Sequence, residues 1–191
     1  QEQEELRAIQ KDKMELRERF CAPLAFGTAG LRGTMKVGLH HMNVHVVRWV
    51  TQGFAEVICA ESDWAGDRKA AVCMDGRKNS RRFAEAAAEV LAANGITVYL
   101  FDGPRPTPEL SFAVRAYGCL AGINITASHN PKEYNGYKAY WCDGAQLQTE
   151  TAMAVSARLE EIDVFAGPKR MDLQRGIELG RICLLGRSCD E

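Results

Sequence analysis

Apolar runs at 70–74, 96–101 and 119–125 alternate with helix-like segments at 81–94 and 109–117. No other feature restricts the fold so much. Asn94-Gly95 suits a helix C-terminus, and Gly118 stops the second helix. Two successive strand–helix–strand units imply parallel strands joined by right-handed crossovers. Ligands of such sheets bind beyond the carboxyl ends of the strands. That rule gathers three loops on one rim: Asp75 to Ser80, Asp102 to Pro108, and Thr126 to Asn135.

The third loop, Thr126-Ala127-Ser128-His129-Asn130-Pro131, is the chemically suggestive one. A buried strand that ends in small and polar residues and then a proline aims a loop outward. Ser128 would carry a free hydroxyl there, and His129 and Asn130 can donate hydrogen bonds to an anion. Ser-His-Asn-Pro also makes an ordinary turn, because Ser and Asn bond to their own backbone. Lys138 follows on the next strand, 137–141, and Asp143-Gly144 is a turn signal beyond it.

The flanking segments read as support. Residues 3–20 read as one helix with Leu6, Ile9, Leu16 and Phe20 near one face, packed on the outside of a larger body. Residues 23–38 form a glycine-rich passage in which Arg32 is the central cation. Its glycines permit close backbone approach, but their spacing lacks the strand-then-helix context of a P-loop. Asn43 can cap a helix over 44–60, and Thr149 one through about 162. The tail from 164 has Gly167-Pro168 and scattered charge, and 186–191 shows no completed element.

Two stretches, TASHNPKEYNGYKAYWCDGAQ from Thr126 to Gln146 and FGTAGLRG from Phe26 to Gly33, resemble the α-D-phosphohexomutases, the phosphoglucomutase and phosphomannomutase superfamily. The resemblance extends over roughly 20–165 and implies the family's first domain. It implies an α/β fold, a three-layer α/β/α arrangement with a mixed, mainly parallel sheet. The expected organisation is an N-terminal helix over 1–22, the domain over 23–165, and a tail over 166–191 leading toward a second domain. It implies that Ser128 carries a phosphoryl group, that Arg32 faces it, and that Lys138 is the general acid–base. His129 would assist catalysis, and Asn130 and Arg77 would bind substrate or phosphate. It further implies Mg²⁺, held in part by the phosphate on Ser128, a glucose bisphosphate activator and a phosphosugar substrate. The wording of both motifs is similar to the phosphoglucomutase-2-like branch. That ranks glucose phosphates first, then pentose phosphates, then mannose phosphates.

The family's Asp-x-Asp-x-Asp metal loop does not occur in this sequence. Its sugar-selecting and phosphate-clamping loops are likewise not found. The expectation is therefore a domain whose partners include domains II–IV of a parent chain and which is inactive alone. Two other functions remain open: a non-catalytic binding or regulatory module, and a serine hydrolase using Ser128 and His129. The second lacks a Gly-x-Ser-x-Gly elbow and an orienting acid. A net charge of −1 gives no reason to expect nucleic acid or an acidic membrane surface. The charged N-terminus has no signal-peptide core and no run is long enough to span a membrane, so a cytoplasmic location is expected. Seven cysteines without Cys-x-x-Cys spacing argue against a zinc site or disulfide framework. Cys73 and Cys119 are expected to be buried apolar residues.

Overall fold

A computed structural model describes residues 2–186. It contains one six-stranded mixed sheet in the order β1-β5-β4-β2-β3-β6. The strands are β1 (Leu31–Thr34), β2 (Lys69–Met74), β3 (Thr97–Phe101), β4 (Ala121–Ile125), β5 (Tyr134–Trp141) and β6 (Ile182–Leu185). The pairs β4–β2, β2–β3 and β3–β6 are parallel. The pairs β1–β5 and β5–β4 are antiparallel. The helices are α1 (Glu2–Ile9), α2 (Lys13–Phe20), α3 (Val44–Ala60), α4 (Ser80–Ala93), α5 (Thr107–Ala116), α6 (Thr149–Glu161) and α7 (Leu173–Glu178).

Strand alternation sorts the core into two layers. Ala70, Val72 and Met74 of β2 face one cluster with Val98, Leu100, Ile123, Ile125 and Tyr137, under the apolar faces of α3, α4 and α6. Ala71 and Cys73 face the opposite cluster, with Phe101, Tyr140 and Leu110, Ala113 and Val114 of α5. The central strands β2 and β4 are buried on both sides, so apart from Lys69 and Asn124 their sequences are apolar and not alternating. Burying each large aliphatic side chain here contributes about 1.5–3 kcal/mol. Cys73 and Cys119 lie inside the second cluster, and burial pushes both thiols up to about 12.

Three parts of the chain differ from the sequence reading. The expected helix over 3–20 is two helices. Asp12 breaks it, because its carboxylate accepts from the amides of Met14 and Glu15 at 3.0 Å and so starts α2 afresh. No residue of α1 is buried, and Arg19 is the buried residue of α2. The pair is held by polar contacts in place of the expected apolar stripe. Arg19 bonds Glu5 of α1, Glu15 at 2.7 Å and the carbonyl of Val37 at 3.3 Å.

The glycine-rich passage contains β1, whose partner is β5. The segment after 165 contributes α7 and the edge strand β6, which pairs with β3 over Val98 to Phe101. Four apolar residues, Ile182 to Leu185, were too short a run to stand out from scattered charge. The ending over 187–191 lies outside the described residues.

Candidate active site

The carboxyl ends of β2, β3 and β4 lead into the three loops expected on the rim. The Ser128 loop leaves β4 at Thr126, whose hydroxyl accepts from the amide of Ser128 at 3.0 Å. The amide of Asn130 closes a turn onto the carbonyl of Ala127 at 3.1 Å. Within that turn Ser128 has a φ of 56°, in the left-handed region. A non-glycine residue there costs on the order of 1–3 kcal/mol and persists only where the surroundings hold it. The turn puts the Ser128 side chain in solvent, with its hydroxyl 3.4 Å from Nδ1 of His129, a long contact.

Arg77 is what holds the loop. Its Nη2 donates to the carbonyls of Ser128 at 2.8 Å and Asn130 at 2.6 Å. Its Nη1 donates to the carbonyls of Pro131 at 2.8 Å and Tyr134 at 3.2 Å. Its Nε donates to Asp75 Oδ2 at 3.2 Å. A guanidinium has five N–H donors, and all five are aimed at acceptors of the chain itself. The side chain expected to bind substrate phosphate has its donors committed to the loop that carries Ser128.

Asp75 organises Arg77 in turn. Its Oδ1 accepts from the amide of Arg77 at 3.0 Å and from the hydroxyl of Ser80 at 2.8 Å. The fully buried Asn135 links the same two loops, donating to Ser80 Oγ at 3.0 Å and to the carbonyl of Lys78 at 3.2 Å. Sequence reasoning did not assign Asp75, Thr126 or Asn135. The available signal for Asp75 was an acid at a strand's carboxyl end two residues before an arginine. Asn135 carried none, because its partners lie 55 and 57 residues away.

Arg32 reaches the loop from the other side. It lies on β1 opposite Gly136 of β5, and its Nη1 donates to Asn130 Oδ1 at 2.7 Å. That bond occupies the amide oxygen of Asn130 and leaves its NH₂ group as the donor. Opposed residues of an antiparallel pair share a face, and so do residues two apart. Arg32, Gly136 and Lys138 are therefore on one face of the sheet, the face that α5 covers further along. Gly136 is required by the crowding: a Cβ there would sit 2.6 Å from the carbonyl of Thr126 and 3.1 Å from that of Leu31. Gly30 is as tight, with a Cβ position 1.8 Å from the carbonyl of Tyr137. Gly30 of the first motif and Gly136 of the second let β1 close onto β5 beside the Ser128 loop.

The Lys138 side chain is half-buried, and among the described residues it makes no hydrogen bond or ion pair. Behind it, the Tyr137 hydroxyl is buried on the opposite face against Thr51 Oγ1 at 3.3 Å, and burial raises its pKa. A groove of about 980 Å³, lined by Lys36, Arg77, Lys78, Asn130 and Lys132 among others, abuts the loop but does not include Ser128, His129 or Lys138. Among the described residues no group of three or more His, Cys, Asp or Glu side chains could hold a metal ion. The expected magnesium therefore has no resident ligand cluster here.

Residues 23–165 match the family model for phosphoglucomutase/phosphomannomutase, alpha/beta/alpha domain I. The chain belongs to the phosphoglucomutase/phosphomannomutase family. It is 44% identical over 153 residues to a phosphoglucomutase of Staphylococcus aureus strain USA300, covering 80% of this chain and 27% of that protein. A structure from Thermus thermophilus assigned as a phosphomannomutase aligns with a TM-score of 0.66 at 33% identity, over 80% of this chain and 34% of the other. A family member from Burkholderia thailandensis shares the fold at a TM-score of 0.61 and 24% identity, over 84% of this chain and 32% of the other. The chain thus spans about a quarter of the length of the curated relatives it matches, and the part it spans is domain I. No helix among the described residues is long and apolar enough to cross a membrane.

Proposed function

We propose that this domain carries the transferable phosphoryl group of a phosphosugar mutase, with Ser128 as the residue that bears it. The observation behind this reading is the setting of Ser128. It is exposed on a left-handed turn at the end of β4, and Arg32 and Lys138 stand on a shared face of the adjoining strands. In this reading the enzyme moves a phosphoryl group between the 1- and 6-positions of a hexose through a bisphosphate intermediate.

Each transfer breaks the P–O bond to Ser128 as a P–O bond forms to a sugar hydroxyl. Unprotonated Lys138 takes the hydroxyl proton, and returns it in the reverse transfer. His129, whose Nδ1 lies 3.4 Å from the Ser128 oxygen, can donate a hydrogen bond to that oxygen as it departs. Phosphorylated Ser128 carries about −1.5 to −2 charges, which Arg32 and the amide NH₂ of Asn130 offset. Arg77 keeps the loop in shape. Phosphate on Ser128 is the metal ligand this domain would contribute, with carboxylates from elsewhere in a longer chain completing the magnesium site. A glucose bisphosphate would charge Ser128 at the outset. Glucose phosphates are the first choice of substrate, pentose and mannose phosphates the next.

Phosphoryl transfer is catalysed mostly by positioning and charge stabilisation. Without domains II–IV, residues 1–191 should fold and not turn over substrate. In a full-length protein containing this domain, Ser128→Ala should abolish interconversion of glucose 1-phosphate and glucose 6-phosphate. A near-normal rate would remove the reading and favour a binding module.

A further inference from the structure

Asn124, near the end of β4, is 1% exposed, yet its side-chain oxygen has no hydrogen-bond partner. Its amide nitrogen donates to Thr107 Oγ1 at 2.9 Å, where α5 begins. A buried polar atom left unpaired costs about 1–3 kcal/mol, so an unpaired oxygen at this depth calls for a donor. The sheet register limits the choice. Asn124 lies between Cys73 of β2 and Lys138 of β5, each directly in register with it. The Cys73 thiol already faces the carbonyl of Arg105 at 3.5 Å. Lys138 is the other neighbour. Its Cβ lies about 4.5–5.5 Å from that of an opposed residue on the same face, and its flexible stem can bring Nζ to the amide oxygen.

We propose that Asn124 is a positioning residue for Lys138, its side-chain carbonyl accepting a hydrogen bond from the lysine nitrogen. This rests on the assignment of Lys138 as the proton acceptor. An amine held by one of its own N–H bonds keeps its lone pair free and turned away from the acceptor. The bond therefore fixes where Nζ waits without consuming the group that takes the proton. Two residues along β5, the carbonyl of Gly136 receives the amide of Thr126, the first residue of the Ser128 loop. An anchored Nζ thus stays at the rim where that loop begins.

The test has two arms. In residues 1–191 with ¹⁵N-labelled lysine, the Lys138 ammonium should exchange its protons with water more slowly than those of the exposed Lys11 and Lys13. Asn124→Leu should abolish that slowing, whereas Asn124→Asp, which keeps an acceptor, should retain it. Exchange as fast as Lys13 in the unsubstituted chain would overturn the proposal without any appeal to activity. In a full-length protein, Asn124→Leu should lower kcat about 10-fold with KM within about 2-fold, since a 1 Å misplacement can cost up to about 10²-fold. Thr107 is exposed and can bond water instead, so the substitution should leave the fold intact. In a Lys138→Met background the same substitution should have no further effect. An equal loss in that background would overturn the positioning role while leaving Lys138 in place. A Lys138→Met protein of full rate would instead remove the assignment of Lys138, and this inference with it.

Discussion

Replacing Arg77 by methionine keeps the stem and deletes the guanidinium. Four loop carbonyls and one oxygen of Asp75 then lose a donor. The bonds to Ser128 and Pro131 are exposed, so those carbonyls regain water and each loss is worth about 0.5 kcal/mol. The partners at Asn130, Tyr134 and Asp75 are part-buried, and about 1 kcal/mol each is reasonable there. Such terms are not additive, and the net cost should be about 3 kcal/mol. That matches or exceeds the cost, on the order of 1–3 kcal/mol, of holding a non-glycine residue left-handed at Ser128. The loop should therefore leave its conformation while the sheet ladders remain. Thermal unfolding of Arg77→Met should fall by about 6–12 °C, given about 2–4 °C per kcal/mol in a domain of this size. Amide exchange should accelerate at Ser128 and Asn130 through local opening, and in β2 and β3 by no more than the fall in global stability allows. In a full-length protein, guanidinium at millimolar concentration should restore part of the activity of Arg77→Gly. A melting temperature within about 2 °C of the parent, with unaltered loop exchange, would refute the reasoning.

Gly136→Ala should destabilise the domain by about 1–3 kcal/mol, the usual cost of overpacking, because the new methyl meets two backbone carbonyls; urea unfolding measures it. Acid should loosen the N-terminal helices from the sheet. His41 is buried with Nδ1 at 2.9 Å from Thr34 Oγ1 and Nε2 at 3.0 Å from Glu18. Desolvation lowers its pKa below 6.5 despite the bond to Glu18, so the fold favours the neutral ring. That contribution is complete above 6.5 and is lost as pH falls through the lower folded value. Melting temperature should decline over that window, and His41→Gln should flatten the decline. Lys138→Met should lower turnover of a full-length protein by about 10²–10⁴-fold while phosphate on Ser128 stays detectable by mass spectrometry.

The parallel half of the sheet was legible because β2, β3 and β4 are largely buried and written as mostly apolar runs between helix and cap signals. The β1 strand was not, because its four residues include Arg32 and Gly33 and its stability comes from pairing with β5 about a hundred residues later. Propensity cannot register such a partner. The same limit hid β6 and the polar docking of α1 and α2. At the site, Ser128, His129 and Arg32 were visible as motif residues. The job of Arg77 was not, since donors aimed at backbone carbonyls leave no pattern in sequence beyond the arginine itself. Asn124 read as one more residue of a buried strand, and only the register across β5 gave it a neighbour.

The most direct measurement is phosphopeptide mass spectrometry on a full-length protein containing this domain, purified without phosphatase and then treated with glucose 1,6-bisphosphate. The phosphocarrier role predicts phosphate on the peptide holding Ser128, its removal by excess glucose 6-phosphate, and its absence from Ser128→Ala. An active protein with no phosphate at Ser128, or with turnover preserved in Ser128→Ala, would contradict it.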